Sequence, residues 1–182
     1  MAVSPKSSRS VTKNAVKSNR QIRMEQRQRE EEQLRITHEK WVLDAIKRLR
    51  TELDQIKSDL CTALNDCGLP PASIKRVERC LEEMRTALRL LVMAKNLRDR
   101  GGDIQKIAVL FIRASFTYSS SISEYRDVRE IANNPKVKDN SEAKSGFMVL
   151  DWNYNEASRI IYDELNNNLR SRGGQDFFTP FV

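Results

Sequence analysis

Residues 42–91 read VLDAIKRLRTELDQIKSDLCTALNDCGLPPASIKRVERCLEEMRTALRLL, and their spacing decides the fold. Val42, Ile46, Leu49, Leu53, Ile56, Leu60 and Ala63 recur at alternating intervals of four and three. An apolar residue every 3.5 positions keeps one stripe of an α-helix facing one partner, which is the pattern of left-handed coiled-coil packing. Gly68 then offers a helix stop, and Leu69-Pro70-Pro71 prevents continuation. The pattern restarts with Ile74, Val77, Leu81, Met84, Leu88 and Leu91, again three and four apart. Two seams joined by a short Gly/Pro turn predict an antiparallel helical hairpin.

Reading on toward the C-terminus, Arg98-Asp99-Arg100-Gly101-Gly102 forms a second break, and Asp103 is placed to cap a third helix. That helix carries Ile104, Ile107, Phe111, Ala114, Tyr118, Ile122, Tyr125 and Val128. Its β-branched and aromatic residues would also suit a strand, but the sustained 3-4 spacing favours helix. Asn133-Asn134-Pro135 ends it, and KVKDNSEAKSG reads as a polar loop. Asn153, with Glu156 three residues later, resembles a capping box for a last helix bearing Ala157, Ile160, Ile161, Leu165 and Leu169. The expected helices are therefore about 25–67, 72–97, 103–132 and 153–170. The fold class is all-α: a coiled-coil hairpin extended to a four-helix bundle, with flexible tails. A first helix from Arg20 to Cys67 would measure about 70 Å at ~1.5 Å per residue, longer than a compact bundle of this size. An overhang of that kind is a structural reason to expect assembly into an oligomer or larger complex.

Toward the N-terminus the character changes. The segment EQRQREEEQLRITHEKW from Glu25 is polar all round, as a solvated helix extension would be. Before it, residues 1–24 hold Lys6, Arg9, Lys13, Lys17, Arg20 and Arg23 and no acidic residue. The formal net charge is +7, so about +1 remains for everything after Met24 and the excess is local. This basic arm is rich in serine, contains Pro5 and has too few large apolar side chains to fold alone. It is either a solubilising tail or a dock for a polyanion. The polyanion is a nucleic acid, gripped through its phosphates, or an acidic protein surface such as that of a cytoskeletal polymer. A phosphate on Ser4 or a neighbouring serine would weaken either contact.

Function classes narrow by what the sequence lacks. One histidine, His38, lies in the charged segment and reads as a solvated surface side chain. Gly101-Gly102 and Gly173-Gly174 match neither phosphate-loop pattern, and the sequence contains no HExxH, GxSxG or CxxC. The expectation is a protein that is not an enzyme and carries no cofactor or metal. Three cysteines, Cys61, Cys67 and Cys80, without an apolar leader in residues 1–20, predict free thiols in an intracellular, reducing compartment. Cys61 and Cys80 lie about equally far from the hairpin turn, yet the absence of nearby histidine favours packing over metal binding. A mean hydropathy of −0.62 and the lack of a ~20-residue apolar run exclude a helical membrane span from the expectation.

Aromatic residues divide. Trp41, Tyr118 and Tyr125 sit at helical spacings that suit packing, with Trp152 and Tyr154 further on, and the alternative for the set is base stacking. Phe177, Phe178 and Phe181 lie in a short tail, 173–182, beside Gly-Gly and Pro180. They are expected either to fold back on the bundle or to anchor in a neighbouring subunit. The leading reading is a non-catalytic structural subunit or adaptor that associates through its helical seams, with itself or with other helical proteins, and docks on a polyanionic partner through its basic arm. The alternative is a coat- or nucleocapsid-like protein with an RNA-binding arm.

Overall fold

The computed structural model describes residues 19–170, and the chain divides into two units, one ending at Lys40 and the other beginning at Trp41. Five helices occur among the described residues: α1 (Asn19–Asp66), α2 (Pro71–Asp99), α3 (Ile104–Ala132), the single turn α4 (Pro135–Lys138) and α5 (Ser141–Arg170). The all-α reading holds, and α2 and α3 occupy 71–99 and 104–132 where about 72–97 and 103–132 are expected. Helix starts earlier than expected, at Asn19, so Arg20 and Arg23 belong to α1 while Lys6, Arg9, Lys13 and Lys17 lie outside the described residues.

In the first unit, residues 19–40 of α1 are helical and almost every side chain is exposed. Helical geometry there rests on local pairs, such as Arg35 Nη2 on Glu32 Oε1 at 2.7 Å one turn back. With no apolar stripe of its own, this stretch has no reason to bury either face.

The second unit is a four-helix bundle of α2, α3, α5 and the part of α1 from Trp41. Both hairpin turns are closed by a glycine in the left-handed region, Gly68 (φ 64°) and Gly101 (φ 67°). Leu69 N donates to Leu64 O, and Gly102 N to Leu97 O, so each turn absorbs carbonyls the ended helix leaves open. Asp103 caps α3 as expected, its carboxylate accepting from Gln105 N at 2.8 Å. Ion pairs fix the antiparallel register of α1 and α2, with Lys57 on Glu82 and Asp54 on Arg85. Arg76–Asp127, Arg79–Glu124 and Ser120–Glu83 do the same for α2 and α3. Ser121–Tyr154 and Tyr125–Asp151 do so for α3 and α5.

Each helix contributes one heptad stripe to the core. On α2, Cys80, Ala87 and Ala94 recur every seven residues and are fully buried. On α3, Ala114 and Ser121 stand seven apart, also fully buried. Ser121 Oγ donates to Cys80 O at 3.3 Å, and one heptad on the same register sets Ala87 opposite Ala114. Small side chains on both facing stripes let the two backbones come close, and α2 and α3 approach each other along more of their length than either does α5.

Two expectations are corrected. The polar stretch after Asn134 is not a loop, and α5 begins at Ser141 rather than Asn153. Asn140 is the residue that caps it, its Oδ1 accepting from Ala143 N at 2.9 Å. Asn153 is a buried interior residue of α5, its Nδ2 donating to Val149 O. The α5 stripe therefore runs Ala143, Phe147, Leu150, Tyr154, Ala157, Ile161 and Glu164, all buried. Gly146 fits within it because α1 presses close: a Cβ there would stand 2.9 Å from Leu60 Cδ1. The α3 stripe is also offset from the expected one. Ile104 (66% exposed) and Ile122 (43%) lie outside, and Ser121 takes the interior place between Tyr118 and Tyr125.

Candidate functional site

The twelve seam residues come first, because association was expected to run through them. Val42, Ile46, Leu49, Leu53, Ile56 and Leu60 of α1 are buried, as are Ile74, Val77, Leu81, Met84, Leu88 and Leu91 of α2. All belong to one continuous core within the single chain.

The core is not purely apolar. Lys95 and Glu164 occupy seam positions of α2 and α5, and Lys95 Nζ meets Glu164 Oε2 at 2.6 Å with both side chains inaccessible or nearly so. Near the same end, Arg98 Nη1 donates to Asn168 Oδ1 at 2.6 Å. A second polar group crosses the middle of the bundle. Ser121 lies 3.3 Å from the Tyr154 hydroxyl, and the Tyr154 and Tyr125 rings stack at 3.7 Å, nearly parallel. Tyr125 donates to Asp151, which also accepts from Arg129 at 2.8 Å. Burial raises the Tyr154 and Tyr125 hydroxyls above the ordinary phenol range, and for Tyr125 the Asp151 contact adds to it. Neutral phenols held this way are structural donors. They are poor candidates for a base poised near neutral pH.

The thiols behave similarly. All three cysteines are free. Burial pushes Cys61 up to about 11 and Cys80 up to about 12. Cys80 Sγ faces the backbone of α3, 3.8 Å from Ser121 O, and Cys67 is half-buried. Among the described residues no cluster of three or more His, Cys, Asp or Glu could hold a metal ion, and His38 is an exposed residue of α1. An open groove of about 560 Å³ between α1 and α5 is lined by Ile56, Leu60, Ala63, Gly146 and Val149, with Asp59 and Glu142 beside them. The hydroxyls of Thr62, Ser141 and Ser145 complete its lining.

Aromatic residues separate into two sets. Tyr118 and Tyr154 are buried and Tyr125 is half-buried, while Trp41 (50% exposed) and Trp152 (74%) stand at the surface. Phe177, Phe178 and Phe181 lie outside the described residues.

One surface was not anticipated. The side of α3 turned away from its core stripe carries Val109 (52% exposed), Ile112 (47%) and Phe116 (73%), with Gln105, Ser119 and Ser123 in line. Ile104 flanks it. These positions follow the same 3-4 rhythm as the core stripe, displaced half a turn. The signal was present in the sequence, since a helix apolar on both sides belongs inside something larger. From Ile104 to Ser123 the only charged residues are Lys106 and Arg113, both exposed and both basic.

On α1, Arg20 and Arg23 are exposed, and the first turn holds no acidic residue. No helix among the described residues is long and apolar enough to cross a membrane. No family model, curated protein or solved structure matches the chain.

Proposed function

We propose that the chain is a non-catalytic structural subunit or adaptor, which binds protein through the outward face of α3 and docks on a polyanion through its basic N-terminal arm. The observation that carries this reading is the solvent face of α3, with Phe116 73% exposed on a bundle whose own seams are already buried. Since the seams are spent inside the chain, association needs another apolar surface, and Val109, Ile112 and Phe116 supply it. The arm supplies electrostatic docking: Lys6, Arg9, Lys13, Lys17, Arg20 and Arg23 occur with no acidic residue among them. Three free thiols fit a reducing, intracellular setting.

Two measurements test the two halves. Light scattering over a concentration series reports association of the chain, intact and ending at Arg170. Self-association abolished by Phe116→Asp supports the α3 face, whereas compact monomers for both lengths throughout the micromolar range overturn self-assembly. Fluorescence anisotropy with labelled single-stranded RNA and, separately, an acidic polypeptide tests the arm. Six phosphate contacts would give a log–log salt slope of about −4, lost on removing residues 1–24. RNA binding of that strength selects the packaging alternative, polypeptide binding selects the acidic protein partner, and neither leaves the arm a tail.

A further inference from the structure

We infer that the partner of the α3 face is a second copy of this chain, in which α3 seats in the groove between α1 and α5. The inference rests on the reading of the α3 face as a docking surface and adds what receives it.

The groove supplies an apolar floor, with Ile56, Leu60 and Ala63 on α1 and Val149 on α5. Gly146 lets α5 lie against Leu60 at its base. Apolar surface continues along α5 through Met148 and Trp152, both exposed and within about one turn of Val149. Such a file is as poorly suited to water as Val109, Ile112 and Phe116 are. At about 560 Å³ the groove falls in the ~300–1,000 Å³ range of sites that enclose drug-sized groups, which is ample for the side chains of Ile112 and Phe116.

Charge selects the occupant. The charged residues lining the groove are Asp59 and Glu142, both acidic. Gln55 donates to Asp59 but is neutral, so the carboxylate keeps its charge. Asp66 stands one heptad beyond Asp59 on the same stripe of α1 and is exposed. The cations of the α3 face, Lys106 and Arg113, are also one heptad apart. Either pair spans about 10 Å at ~1.5 Å per residue, so cations and carboxylates agree in sign and spacing. Two α3 faces set against each other would instead bring basic residues to basic ones.

Topology then fixes the kind of assembly. Lys57–Glu82 and Arg48–Glu156 place α1 beside α2 and α5. Arg79–Glu124 and Tyr125–Asp151 place α3 beside the same two helices. Thus α1 and α3 stand at opposite corners of the bundle, and the outward face of α3 points away from α1. The inserted and receiving surfaces lie on different sides, so one molecule offers both at once. Such a heterologous contact continues to a third copy, as a ring or an open chain. Ile104 to Ser123 is about 29 Å of helix, and half the girth of a helix ~10–12 Å across is about 17 Å. Each partner then buries on the order of 500 Å², at the weak end of specific interfaces, which places association at micromolar concentration.

The test mixes two variants of the full, nuclease-treated chain in sedimentation velocity at tens of micromolar. Phe116→Asp spoils the inserted surface, Val149→Arg spoils the groove, and circular dichroism checks that both retain their helices. The unaltered chain should grow beyond a dimer, and either variant alone should associate at least tenfold more weakly. Their equimolar mixture should stop at a dimer of one copy of each, because a single intact pair of surfaces remains. A charge exchange gives a second reading should Val149→Arg disturb the fold. Lys106→Glu with Arg113→Glu, and separately Asp59→Lys with Glu142→Lys, should each abolish growth, and mixing the two should restore it. Failure to complement on mixing overturns the inference. Association that survives the groove variants but is lost with Phe116→Asp also overturns it, while keeping α3 as a docking face. Association indifferent to Phe116→Asp overturns both readings. An unaltered chain that stays monomeric overturns this inference and leaves the α3 face to a different protein.

Discussion

Helices α2 and α3 each contain 29 residues and pack against one another along their length, yet their solvent faces have opposite chemistry. The outside of α2 shows Lys75, Glu78, Arg79, Glu82, Arg89 and Asn96, with Met93 as the apolar exception. The outside of α3 shows Val109, Ile112 and Phe116. Both inner stripes are saturated, so the core cannot account for the difference. Water tolerates scattered apolar side chains but disfavours a contiguous file of them. An uncharged face on one helix of a pair whose other member is charged thus points to function, with the inner stripes providing stability.

The largest test of that division compares two phenylalanines on α3. Phe111 is 3% exposed and Phe116 is 73% exposed. Phe111→Ala is expected to cost about 3–5 kcal/mol in urea unfolding, as a large core side chain does. Phe116→Ala should stay within about 0.5 kcal/mol in a chain ending at Arg170. Equal losses there would place Phe116 in the fold and dissolve the distinction.

Of similar size is the consequence of breaking the polar layer of the core. Lys95→Met leaves Glu164 buried opposite a thioether and should cost about 3–5 kcal/mol. Combining it with Glu164→Leu should recover most of the loss, because both desolvation costs are then removed together. A double variant as unstable as the single one would mean that the site needs the charges themselves.

Alkaline pH probes the same interior more gently. Cys80, at about 12 against an ordinary 9.0, is neutral when folded, and Tyr125 and Tyr154 are raised from 10.0. The unfolded chain releases these protons first, so stability is complete below pH 9 and declines as pH rises from there toward 12. Thermal melts between pH 8 and 11 should fall, and Cys80→Ala should flatten the first part of that decline relative to its own pH 8 value. An unchanged slope would show that Cys80 contributes nothing to it.

The smallest effects belong to the seam between the two outer faces. Arg76→Ala and Arg79→Ala each remove a largely exposed ion pair to α3 and should cost about 0.2–1 kcal/mol, shrinking in high salt. Losses above 2 kcal/mol would mean that these pairs, rather than the small-residue stripes, hold α2 and α3 in register.

Much of this was legible in the sequence because heptad spacing survives any choice of partner. The two turns were legible as well, since glycine is the residue that enters a left-handed C-terminal cap without strain. What escaped notice depended on partners distant in sequence. Ser121 looks like a surface residue until Cys80 and Tyr154 are seen beside its hydroxyl. Asn153 resembles a cap because asparagine often is one, and only packing shows it inside a helix whose cap lies at Asn140. Gly146 within a polar run suggested a loop, whereas its missing side chain makes room for Leu60. Val109, Ile112 and Phe116 fall outside the spacing of the core stripe, and apolar residues on both sides of one segment read in the sequence as a strand-like feature before they read as a second helix face.

The close pairing of α2 and α3 also has a bearing on how the chain folds. A four-residue turn joins them, as one also joins α1 to α2, so their contacts close small loops at little entropic cost, and the fully buried small-residue stripes are what set the α2–α3 pair apart. This arrangement predicts that the hairpin of α2 and α3 forms early, offering a template on which α1 and α5 settle. In native-state hydrogen exchange the amides around Ala87 and Ala114 should then be among the last to open, and faster exchange there than in α5 would refute this order. A partner that binds the outside of α3 would meet a surface already built before the rest of the bundle is complete.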